Sequence, residues 1–117
     1  MKSKLTVIAA LVSIAFTGLP ASGQSAEAMY RARMIGFLAK GQCLLKNGSI
    51  TEEFRDAATR TYLRDNPELK PAFEWVTTSI NGKAAVKAMT MNPHYDINCN
   101  LLLSNKEAGA VIMPYLK

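Results

Sequence analysis

Reactive side chains are scarce in this chain: of 117 residues, one is histidine, one is tryptophan and two are cysteine. A single imidazole, His94, excludes the histidine clusters that hold catalytic zinc, and with two cysteines it still falls short of a four-ligand structural site. Glu52, Glu53 and Asp56 do not alternate as calcium ligands must, and no glycine turns the chain between them. A glycine-rich phosphate loop and a serine elbow are also missing. On these grounds the sequence predicts no cofactor, no metal and no enzyme. After Phe16 there is no apolar run long enough to span a bilayer.

Charge of one sign is not in large excess either. Fourteen basic residues stand against nine acidic ones, a net of +5. Lys2 and Lys4 fall in a segment that reads as removable, which leaves twelve against nine, a net of +3. The remaining basic residues are scattered along helix flanks with acids between them. That pattern is a solvated surface, and no nucleic-acid partner is expected.

What is present begins with an export signal. Met1 to Lys4 is a short basic region, Leu5 to Phe16 is apolar apart from Thr6 and Ser13, and Gly18, Leu19 and Pro20 break any helix before Ala21, Ser22 and Gly23. This is the layout of a secretory signal peptide. Ala21 and Gly23 stand two apart, as a signal peptidase pocket requires, so residues 1–23 are expected to be removed before Gln24. The alternative, an uncleaved anchor, has an apolar run well short of the roughly 20 residues that a membrane-spanning helix needs. The expected product is a single domain, 24–117, without a transmembrane segment, periplasmic or secreted.

Export changes the meaning of the cysteines. An even count in a short exported chain favours a disulfide, Cys43 to Cys99, over a metal site or a catalytic thiol. The alternative is a pair of buried free thiols. Closing a loop of this length stabilises a fold by about 4 kcal/mol in the chain-entropy model, as an upper figure. For a small domain with a total stability of about 5–10 kcal/mol, that is a large share.

The mature chain reads as an all-α bundle of four to five helices. From Ala26 to Lys46, Tyr30, Met34, Phe37, Leu38, Leu44 and Leu45 form a stripe of large side chains, while Ala28, Ala32, Gly36, Ala39 and Cys43 form a second stripe of small ones. Arg31 with Gln42, and Arg33 with Lys40, separate the stripes as flanks. A helix apolar on two faces is sandwiched, and Cys43 on the small stripe places the Cys99 segment against it. Asn47-Gly48 stops this helix. Ser49 or Thr51 caps the next, which runs to about Asp65 with Phe54, Ala57, Ala58, Thr61 and Tyr62 inward. A third helix starts at Asn66-Pro67 or Pro71, turns Leu69, Phe73, Val76 and Ile80 inward with Trp75 off the stripe, and ends at Asn81-Gly82. A fourth covers about Lys83 to Met91 and stops at Pro93. Ser104 with Glu107 resembles a capping box and opens a last helix through about Met113, ended by Pro114, although Ala110 to Met113 is short enough to read as a strand.

Two places are left for function. His94 with Asp96 near it is a weak candidate for Cys-His chemistry, which needs a free thiol and a third orienting group. The stretch from Asn92 to Asn100 mixes rings and amides beside the expected bridge, so His94, Tyr95 and Asp96 are candidate partner-binding residues, with Trp75 as a second anchor. The competing view folds Tyr95 and Ile97 back onto the core. By analogy of architecture alone, small exported helical domains with one disulfide include inhibitors or immunity proteins, envelope chaperones and structural proteins. The leading expectation is a non-catalytic binding or inhibitor protein that meets one bacterial envelope protein. The alternative is a small exported enzyme of unrecognised type. Mass measurement of the exported protein should find Gln24 at the N-terminus, or less frequently Glu27 or a later residue; a membrane-bound product that keeps Met1 would sink the export reading.

Overall fold

Ser25 lies in extended backbone, and its hydroxyl accepts a hydrogen bond from the Ala28 amide at 3.1 Å, which opens α1 (Ala26–Lys46). Glu27 in the first turn pairs with Arg31 at 2.7 Å, one turn on. At the far end the Asn47 amide donates to the Cys43 carbonyl, and Gly48 takes a left-handed φ of +80° that turns the chain out of the helix. In this computed structural model the described residues are 25–91 and 94–116. The expected signal segment, residues 1–23, lies outside them, and so does the expected stop at Pro93.

Four further α-helices follow among the described residues: α2 (Glu52–Asp65), α3 (Lys70–Thr78), α4 (Ile80–Thr90) and α5 (Asn105–Ile112). Short 3-10 turns at Pro67–Leu69 and Met113–Tyr115 join α2 to α3 and follow α5. The fold is all-helical; the one β feature among the described residues is an isolated bridge between Tyr95 and Leu101. No helix among the described residues is long and apolar enough to cross a membrane.

α1 is the centre of the bundle, packed chiefly on α4 and α3, with α2 alongside. Both of its stripes are covered: Met34, Phe37 and Leu44 are buried, and so are Ala32, Gly36 and Ala39. Ala85 and Met89 of α4, Val76 of α3, Leu69 before it, and Ala108 and Ile112 of α5 complete the same core. Burying each large side chain contributes about 1.5–3 kcal/mol. Phe37 also stacks on Tyr62 of α2, with centroids 4.3 Å apart and planes 7° from parallel. That contact holds the most polar helix to the centre.

The starts and stops mostly follow the local signals. Thr51, and not Ser49, caps α2 by accepting from the Phe54 amide at 3.1 Å. The Ser49 amide instead donates to the Asn47 side chain, so no capping box forms with Glu52. At α5 the box is complete. The Ser104 hydroxyl accepts from the Glu107 amide, and the Glu107 carboxylate accepts from the Ser104 amide. Hydrogen bonding to the carboxylate, first from the Ser104 amide and then from the Ser104 side chain, holds the Glu107 carboxyl below its ordinary value. The last apolar segment is therefore helix, not strand.

Three expectations are corrected. Asn81-Gly82 does not end the third helix; the chain breaks earlier, at Ser79, whose hydroxyl accepts from the Gly82 amide at 2.8 Å and so caps a new helix. Gly82 is buried in the first turn of α4, where a Cβ would come within 2.5 Å of the Val76 Cα and 2.7 Å of the Trp75 carbonyl oxygen. Glycine is needed there for close approach of two helices. Ile80, expected on the buried face, begins α4 and is 86% exposed. On α2, Ala57 is exposed and Thr59 is buried in its place, its hydroxyl donating to the Arg55 carbonyl at 2.8 Å.

The two glycines should respond differently to a methyl group. At Gly48 nothing lies within 4 Å of an added Cβ, so Gly48→Ala should cost only the left-handed backbone, about 1–2 kcal/mol. At Gly82 the obstructing atoms include α3 backbone, so Gly82→Ala should cost about 3 kcal/mol or more. Urea unfolding midpoints would show this; equal losses would mean that the α3–α4 corner is not limited by contact at Gly82.

Candidate functional site

The chain between α4 and α5 forms a small hairpin. The Asp96 amide donates to the Asn100 carbonyl at 2.9 Å, the Cys99 amide to the Asp96 carbonyl at 2.9 Å, and the Leu102 amide to the His94 carbonyl at 2.8 Å. A loop of this kind closes on a left-handed residue, normally glycine. Here the residue is Cys99, with φ +61°. A side chain in that conformation costs about 1–2 kcal/mol, so the position must be held by something else.

Two groups on α1 and its end hold it. Cys99 is bonded to Cys43 with Cα atoms 5.8 Å apart, and no free cysteine remains. The Asn47 amide nitrogen donates to the Ile97 carbonyl at 3.2 Å and to the Cys99 sulfur at 3.4 Å. Asn47 therefore ends α1 and clamps the hairpin with one side chain. Sequence reading assigned it only the first role.

Asp96 organises the loop from within. One carboxylate oxygen accepts from the Asn98 amide at 2.8 Å and the Asn100 amide at 2.9 Å, and the other accepts from the Asn100 side chain at 3.3 Å. The Asn100 backbone bond is the largest reason that the carboxyl titrates below its ordinary value; the Asn98 bond, the Asn100 side chain and the Lys40 charge add to it and together outweigh desolvation. Lys40, expected as an exposed flank of α1, is only 8% exposed. Burial pushes its ammonium down, and the Asp96 charge offsets part of that shift. The flank assignment fails because helical periodicity places Lys40 on α1 but cannot show that a distant hairpin covers it.

The candidate residues thus divide. Tyr95 faces Leu101 across the bridge and packs against the core, and burial raises its phenol to about 12. Its hydroxyl and the His94 Nδ1 are buried with no hydrogen-bond partner among the described residues. Asp96 spends its oxygens on the turn, and His94 Nδ1 is not oriented by it. With both thiols bonded, the Cys-His arrangement is not assembled. Ile97 does not fold back as Tyr95 does: it is 87% exposed at the hairpin tip. Leu102 and Met91, on the segments flanking it, are about 60% exposed.

Trp75 is elsewhere. It is half-buried on α3, with the Arg31 guanidinium carbon 4.3 Å from its ring centroid. Arg31 precedes Cys43 by twelve residues on α1, which is about 18 Å along the helix axis. Trp75 and the hairpin therefore mark opposite ends of α1 and do not form one surface. A shallow cleft of about 380 Å³ lies at the Arg31 end, lined by Glu27, Tyr30, Arg31, Glu68, Pro71 and Ala72. A second, of about 420 Å³, lies beside the hairpin between Gln42, Cys43, Lys46, Thr90, Met91 and Tyr95. Among the described residues no cluster of three or more His, Cys, Asp or Glu is placed to hold a metal ion.

Comparison with protein families, curated proteins and solved structures finds no match to this chain.

The titration of Asp96 gives the hairpin a signed pH dependence. Its folded value lies below the unfolded one, so its contribution is fully present above the ordinary carboxyl value of 3.8 and is lost as pH falls through the lower folded value. Hydrogen exchange at the Asn98 and Asn100 amides should rise in that acid range relative to the helices. Asp96→Ala should raise it already at neutral pH. Exchange at these two amides that is the same in the variant would show that the carboxylate does not hold the turn.

Proposed function

We propose that the chain is an exported, non-catalytic binding protein of the inhibitor or immunity type, acting in the bacterial envelope and meeting one protein partner through the hairpin of residues 94–102. The observation that carries the reading is Ile97: a large aliphatic side chain, 87% exposed, at the tip of a loop tied by a disulfide, an asparagine clamp and an internal carboxylate. Leaving such a side chain in water forgoes about 1.5–3 kcal/mol of burial. A partner pocket recovers that energy, and a loop already held in shape loses little entropy on docking. Export rests on the layout of residues 1–23, and a disulfide in so small a domain supports an oxidising compartment.

A small exported enzyme is the competing reading. It would draw on Tyr95 and the cleft beside it, but both cysteines are bonded and the lone histidine is not oriented by a carboxylate at Nδ1. The binding reading asks nothing of either group.

Immobilised mature protein and its Ile97→Asp variant, compared on the native envelope fraction, test the proposal. Since Ile97 is exposed, the variant should melt within about 1 kcal/mol of the parent stability. The parent should retain one stoichiometric protein and the variant at least tenfold less of it. Equal retention by both, or none by either, would overturn the hairpin as the binding surface.

A further inference from the structure

The two sulfurs of the bridge are not equivalent. Cys99 is fully buried, whereas Cys43 is half-buried and forms part of the wall of the cleft of about 420 Å³ beside the hairpin. Cys99 is not among the cleft's lining residues, so a molecule in the cleft meets the bridge from the Cys43 side. Thiol–disulfide exchange needs an attacking thiolate in line with the S–S bond and behind the sulfur it strikes, and it is faster when the departing thiolate is stabilised. The first condition is served by a cleft that reaches Cys43 and not Cys99, the second by the groups around the bridge. Lys46, one turn beyond Cys43 on α1, also lines the cleft and brings a positive charge to an incoming anion. At the other sulfur, the Asn47 side-chain nitrogen already donates to Cys99 at 3.4 Å, where negative charge would develop. The cleft's volume falls within the range of small-molecule sites.

We propose that the folded protein is a substrate for thiol–disulfide exchange in one direction: a small anionic thiol of the glutathione class enters the cleft and attacks the Cys43 sulfur, with Cys99 as the leaving group. In that step the thiolate forms a new S–S bond to Cys43, the Cys43–Cys99 bond breaks, and its electron pair departs on Cys99 as a thiolate that takes a proton from water. One disulfide replaces another, and no further oxidant is consumed. By microscopic reversibility, a mixed disulfide on Cys43 is also the species that Cys99 resolves when the bridge closes in the folded protein. The consequence is mechanical: exchange at Cys43 releases the hairpin from α1 while leaving a tag on the helix. This chemistry is independent of what the hairpin contacts.

The oxidised full-length mature protein, incubated with reduced glutathione under native conditions, acid-quenched at early times and then alkylated, reports the direction directly. Peptide mass spectrometry should find glutathione on the Cys43 peptide and the alkyl group on the Cys99 peptide, in at least tenfold excess over the reverse pattern. Glutathione mainly on Cys99, an even distribution between the two, or no exchange until denaturant is added would each overturn the proposal.

Discussion

A helix of 21 residues that is apolar on two faces cannot be satisfied by one neighbour. That constraint organises the rest of the chain. The small face of α1 admits close backbone approach, and its large face demands bulky partners, so α3 and α4 pack along it, α2 is joined through the Phe37–Tyr62 stack, and α5 adds to the core from its seat on α4. Because α1 is buried along most of its length, its flanks become positions where other segments dock. Lys40, Cys43 and Asn47 follow one another at three- and four-residue steps up to and just past the end of α1, and all three engage the hairpin: Lys40 through the Asp96 charge, Cys43 through the bridge, Asn47 through two hydrogen bonds.

The departures from local preference gather at that flank. A non-glycine residue holds a left-handed conformation at Cys99, an ammonium is covered at Lys40, and two polar atoms, on His94 and Tyr95, are buried without a partner among the described residues. Each is a cost that an unconstrained chain would relax. Not all departures lie there, since the Arg31 Nε is also buried without a partner among the described residues and Ile80 stands exposed; the helix caps nevertheless agree with local signals from Ser25 to the box at Ser104 and Glu107.

The same division explains what was legible in the sequence. α1 with its stop at Asn47-Gly48, the box that opens α5 and the pairing of two cysteines in a short chain are local or combinatorial signals, and each survives intact. The third and fourth helices were misdivided because Asn-Gly carries a strong stop signal, whereas the cap at Ser79 is recognised only by what its hydroxyl binds. On α2 the buried arc is centred on Ala58 and Tyr62 and leans toward Thr59, away from Ala57, and the Thr59 hydroxyl tolerates burial because it donates to the preceding turn. The hairpin was visible as a peculiar composition of rings and amides, but not as a surface. Residues two apart would share a face in a strand, so Tyr95 and Ile97 part only because Ile97 lies in the turn that Asp96, Cys99 and Asn100 close, and where that turn falls is not announced by periodicity. Trp75 is half-buried against the core as Phe73 is, and its partner Arg31 lies on another helix, which nothing local announces.

Two kinds of restraint act on the hairpin, and they control different things. Asp96 and the three backbone bonds between residues 94 and 102 fix its internal shape, and none of them involves α1. The Cys43–Cys99 bond and the Asn47 side chain fix its seat on the helix. Closing a chain separation of 56 residues, the bond accounts for about 4 kcal/mol by loop entropy, far more than two exposed or half-exposed hydrogen bonds supply. Orientation therefore rests on the covalent link and the Asn47 clamp, and so does the left-handed conformation at Cys99, while Asp96 holds the rest of the turn through bonds of its own. Loss of the bond would therefore relax Cys99 from its left-handed conformation as well as free the hairpin from α1, and the Asp96 carboxylate would be left to hold the turn.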